Sequence, residues 1–106
     1  MKLNLNDKDL TTLEQEYDRI KVVLGQKIAE CREFAGFPKR SYHDSSKSAN
    51  LLFNTESGRN FPNADTLNYY MELYQVNDST RQTLLELHGY GKQYKKTIIR
   101  KKRGWN

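Results

Sequence analysis

The chain has 106 residues, 36% of them hydrophobic and 29% charged, with 18 basic against 13 acidic side chains and a formal net charge of +5. That length holds one domain with one modest core, and an aromatic content of 11% excludes a chain that is disordered throughout. No apolar run reaches membrane-spanning length, MKLNLNDKDL lacks the apolar centre of a secretory leader, and the single cysteine, Cys31, excludes an internal disulfide. A cytoplasmic protein is expected.

From about residue 9 to residue 35, Leu10, Leu13, Tyr17, Ile20, Leu24, Ile28, Cys31 and Phe34 recur at intervals of three and four, the helical period. Asn6 or Asp7 can cap the start, and Gly36 suits the left-handed position just past the end. Gly25 costs about 1 kcal/mol inside a helix, so the pattern admits one continuous helix or two, over 8–24 and 25–35. The first five apolar positions form a heptad-like stripe. It suits a helix folded onto its own domain or a dimer seam; the seam is preferred, giving a homodimer through the N-terminal helix.

Pro38 fits the first turn of a short helix over 38–43, and DSSK is turn-like. Ser48 caps a helix over 49–56 that buries Leu52, and Gly58 ends it. Asn63 caps the next helix, which carries Leu67, Tyr70, Met71 and Tyr74 on one face and Asp65 at its positive end. NDST caps a last helix over 80–88 with Leu84, Leu85 and Leu87. Beyond it, GYGKQYKKTIIRKKRGWN opens on two glycines and a charge run, and reads as a flexible arm in which YKKTII could form a short strand or helix. Seven basic residues and no acid lie from Lys92 to Arg103; removing them from the chain's 18 leaves 11 basic against 13 acidic residues. The basicity therefore belongs to the tail, and the body is close to neutral.

Taken in order, LGQKIAECREFAGF, SANLLFNTESGRNFP and NADTLNYYMELYQV resemble the helix-turn-helix domain of phage repressors, the Cro/C1 or Xre-like family, from Leu24 to about Val76. The anchors are Arg32 and Gly36, the E-x-G-x-x-x-P segment of Glu56, Gly58 and Pro62, and the pattern T-L-x-x-Y-M-x-x-Y-x-V from Thr66 to Val76. The resemblance implies an all-α fold. Residues 25–90 would form a five-helix repressor-like domain, preceded by a helical extension over 1–24 and followed by the basic tail over 91–106. It also implies a structural ion pair between Arg32 and Glu56. The second helix and its turn depart from the family. The segment from Gly36 to Glu56 is one residue short, Tyr42 and His43 stand where a leucine and a small alanine are usual, and Ser46 or Lys47 replaces the turn glycine. Thr55 also stands where an aliphatic core residue is expected.

On that resemblance the helix starting at Ser48 would enter a major groove. Asn50 and Asn54 would face base edges, Phe53 a thymine methyl, and Lys47 and Ser48 the phosphates. Lys39 and Arg40 would hold the backbone at the start of the preceding helix. Lys95, Lys96, Arg100, Lys101, Lys102 and Arg103 would follow the phosphates from the tail. The expected function is a DNA-binding regulator of transcription, of phage or mobile-element type. The alternative is a protein-interaction module, an anti-repressor or adaptor, on an altered helix-turn-helix scaffold. No cofactor or metal is implied, and no nucleophile–base or phosphate-loop pattern suggests an enzyme.

Overall fold

Two helices of 25 residues frame the molecule: α1 (Leu10–Phe34) and α4 (Asp78–Lys102). They lie antiparallel. Leu13, early in α1, packs with Tyr94 and Ile98, late in α4, while Leu24 and Ile28 share a core with Leu84 near the start of α4. The shorter α2 (Ala49–Glu56) and α3 (Ala64–Leu73) fill that second core with Leu52, Leu67, Tyr70 and Met71. This computed structural model describes residues 4–38 and 49–104, the side chains of Ala49 and Asn50 excepted. Among them every regular element is helical, and no helix is long and apolar enough to cross a membrane.

Four helices are described where a five-helix domain with an additional N-terminal helix was expected. Residues 39–48, which carry most of the short helix expected after Pro38, lie outside the described residues. The rest of the difference comes from fusion. α1 runs unbroken through Gly25, so the expected extension and the first domain helix are one rod. Its cap is Asp9, whose carboxylate accepts from the Thr12 amide at 2.7 Å, rather than Asn6 or Asp7. α4 starts at its Asn77 cap and continues past the expected stop near residue 88, so most of the tail is ordered helix rather than a flexible arm. Its physical cause is the buried row Leu84, His88, Gly91, Tyr94 and Ile98, which keeps helical spacing across both glycines.

The apolar stripe of α1 is taken up within the chain. Leu13 is fully buried, and Leu10, Tyr17 and Ile20 pack beside it against Tyr94, Ile98 and Leu5. Polar contacts fix the same seam. The Tyr94 hydroxyl donates to Glu16 Oε1 at 2.9 Å, Lys8 Nζ lies 3.0 Å from that carboxylate, and Lys101 Nζ donates to the Asn6 carbonyl at 3.1 Å. Lys8 first, then Tyr94, holds the Glu16 carboxyl below its ordinary pKa.

Gly25 is required by a close approach. A methyl there would lie 2.7 Å from the Glu56 carbonyl oxygen and nearer still to that of Thr55, so the C-terminal end of α2 crosses directly over α1. The crossing buries Thr55 completely, and its hydroxyl is satisfied by donating to the Leu51 carbonyl at 2.8 Å. Gly58, at φ +82, then turns the chain out of α2 against Val22. The Arg59 and Gly58 amides close the helix on the Asn54 and Thr55 carbonyls.

Seven residues along α1, two turns, Arg32 reaches the same end of α2. Its Nε donates to Glu56 Oε2 at 2.7 Å and its Nη1 to the Phe37 carbonyl at 2.9 Å, with the two side chains 5% and 8% exposed. The bond to Glu56 raises the guanidinium pKa above its already high ordinary value. Removing one partner of such a pair strands a buried charge. Glu56→Ala should therefore cost about 3–5 kcal/mol and Gly25→Ala about 1–3 kcal/mol through overpacking, read by urea denaturation. A loss below about 1 kcal/mol in both variants would contradict the crossing.

Candidate nucleic-acid interface

α2 buries Leu52 and Thr55 against the core and leaves Phe53 and Asn54 half-exposed. The Arg59 guanidinium lies over the Phe53 ring, 5.6 Å from its centroid, so the outer side of α2 carries a cation held in place by an aromatic face. Asn50 belongs to the first turn of α2, but its side chain lies outside the described residues. Lys39, Arg40, Lys47 and Ser48 lie outside them as well.

The loop from Arg59 to Asn63 fixes α2 relative to α4. Phe61 is wedged between the long helices: its ring meets Tyr17 of α1 at 5.7 Å and stacks on His88 of α4 at 4.7 Å, the two planes nearly parallel. Gly91 makes room for it, since a methyl there would strike the ring. The buried His88 donates from Nε2 to the Pro62 carbonyl at 2.8 Å. Burial, opposed by that bond and assisted by nearby Lys92, lowers the His88 pKa below its ordinary value.

Lys95 stands between two depressions on either side of this loop. One is lined by Tyr17, Lys21, Leu51, Arg59 and Asn60, the other by Pro62, Ala64, His88, Gly89, Lys92 and Lys96. The cations around the loop are not equivalent. Lys21 is engaged by Asp18 at 3.1 Å and lies over the Tyr17 ring. Lys92, Lys95, Lys96 and Arg100 are exposed and have no ion-pair partner among the described residues. Farther along α4, Lys102 pairs with Glu14 at 3.3 Å, Lys101 is held by Asn6, and Arg103 caps the helix. Of the six tail residues expected to meet phosphate, Lys95, Lys96 and Arg100 are thus presented on a rigid helix, and Lys101 and Lys102 are engaged with the N-terminal segment.

Sequence reasoning missed Arg59, Phe61, His88 and Gly89 as parts of this face. The helical spacing from Leu84 to Ile98 was the available signal. Cys31 is a half-buried core thiol whose pKa burial pushes up. Among the described residues no three metal-ligating side chains gather. The chain matches no protein-family model, no curated protein and no solved structure.

The neutral His88 stabilises the wedge. Because its folded pKa lies below the unfolded value of about 6.5, the unfolded chain takes up the proton more readily. Stability is then full above that value and falls as pH drops below it. Thermal unfolding between pH 7.5 and 5.5 should show this loss, and His88→Gln, which keeps a donor for Pro62 but does not titrate, should flatten it. Equal pH dependence in both proteins would contradict the assignment.

Proposed function

We propose that the protein is a DNA-binding regulator of the helix-turn-helix type, with α2 as the groove-facing helix and α4 as a basic strut along the phosphates. The observation that carries this reading is the grouping of exposed Lys92, Lys95, Lys96 and Arg100 on one ordered helix, with Lys95 sharing a depression with Arg59, whose guanidinium lies over Phe53 of α2. A duplex supplies closely spaced negative charge, and cations without local partners gain most from releasing its counterions. A fixed helix also loses less conformational entropy on binding than a flexible arm. In this reading the phosphate contacts position the protein, while Asn54 and Phe53 contribute to the choice of sequence. Regulation follows from occupying the site and excluding polymerase or recombinase. Two copies on a symmetric operator would double the phosphate contacts, although the apolar stripe of α1 is already used against α4.

Duplex binding measured across salt concentrations tests this directly. Replacing Lys95, Lys96 and Arg100 together by alanine should reduce the slope of log affinity against log salt by about 3 and weaken every sequence alike. Asn54→Ala should leave the slope unchanged and alter sequence preference. An unchanged slope in the triple variant would contradict a role for α4.

A further inference from the structure

The depression between α4 and the start of α3 has a feature that phosphate binding does not require: its floor is apolar. Phe61, Pro62, His88 and Ile99 form that floor, Lys92, Lys95 and Lys96 its rim, in a groove of about 750 Å³. Gly89 keeps it open. Both Gly89 and Gly91 have helical backbone, but where Gly91 gives way to Phe61, a methyl at Gly89 would meet nothing within 4 Å. An interior helical glycine costs about 1 kcal/mol relative to alanine, and among the described residues neither turn geometry nor packing accounts for it.

The same face of α4 continues the groove. Leu85, Gly89, Lys92, Lys96 and Ile99 follow one another at alternating steps of four and three, the spacing of one helical face. Leu85 and Ile99 are 47% and 40% exposed, two of the few large apolar side chains left open among the described residues. They stand about 21 Å apart along the axis, with a small residue and unpaired lysines between them. A small residue at a crossing lets helix backbones approach closely, apolar residues at either end provide anchors, and lysines select acidic flanks.

We propose that this face docks an amphipathic acidic helix of a protein partner, its apolar side seated over Gly89 between Leu85 and Ile99 and its carboxylates on Lys92, Lys95 and Lys96. Because those lysines also serve the duplex in the reading above, the partner and DNA would exclude one another. That consequence rests on the duplex reading; the docking does not.

The peptide is selected and measured without DNA, and duplex binding is measured separately. A display library of helical peptides of about 18 residues, with leucine, isoleucine or methionine at helical spacing and Asp/Glu flanks, is selected on the intact protein. The best peptide is then measured by fluorescence anisotropy. Gly89→Leu fills the groove from a position with open space and should melt no lower than the parent, yet weaken the peptide roughly tenfold or more. Lys92→Glu with Lys96→Glu should do the same, and amide shifts should centre on 61–64 and 85–99. The proposal is overturned if no peptide exceeds a charge-scrambled control, or if selected peptides ignore Gly89→Leu and so bind by charge alone. It is equally overturned if Gly89→Leu lowers duplex affinity but not peptide affinity, which would assign the groove to DNA.

Discussion

The antiparallel pairing of α1 with α4 is the constraint on which the remaining structure depends. Its outer half is a small core of Leu5, Leu13, Tyr94 and Ile98, with Leu10, Tyr17 and Ile20 against it. Each fully buried side chain of this size contributes about 1.5–3 kcal/mol, enough to hold a highly basic segment helical against its own charge repulsion. The polar seam works in the same direction. Glu14 and Glu16 place carboxylates beside Lys102, Lys8 and the Tyr94 hydroxyl, so part of the positive charge is balanced where the helices meet and the remainder faces outward. The result is a rigid ridge of cations rather than a charged tether.

The inner half of the pair positions α2. Gly25 admits the end of α2, and Arg32 ties that end down through Glu56. Tyr70 and Tyr74 close the environment around the bridge. Burial, with the Glu56 charge adding to it, pushes the Tyr70 phenol up to about 12 and raises that of Tyr74 further. Phe61 then locks the following loop between Tyr17 and His88. The outward side of α2 and the basic side of α4 are thus fixed relative to one another by two short-range contacts with α1 and one aromatic wedge. Neither helix could move relative to the other without disrupting a buried group.

Local punctuation was legible in the sequence. Asn63 caps α3 with its side chain 2.8 Å from the Thr66 amide, and Gly36 and Gly58 take the positive φ expected of residues just past a helix. Their roles depend only on a turn or two of chain, so residue type and spacing suffice. Glycines acting through tertiary contact were not legible. Gly25 and Gly91 resemble helix breakers in isolation, yet each is the point where a distant segment approaches, Thr55 and Glu56 in one case and Phe61 in the other. Treating GYG as a terminus hid Tyr94 and Ile98 as core residues, and with them the intramolecular partner of the α1 stripe. The core position of Thr55 was legible from the resemblance, but not what makes a polar residue tolerable there: its hydroxyl turns back to the Leu51 carbonyl. In the candidate site, the exposed lysines were visible as charge. Their arrangement on an ordered helix, with Lys95 near Arg59, and the apolar floor around Gly89 required knowing that α4 continues.

Amide hydrogen exchange over residues 92–102 tests the central claim most directly. If the α1–α4 pair holds the basic segment, those amides should be protected to a degree approaching that of residues 80–91, fraying only near Lys102. Exchange at the rate of an unstructured chain across 92–102, with α1, α2 and α3 still protected, would contradict the account.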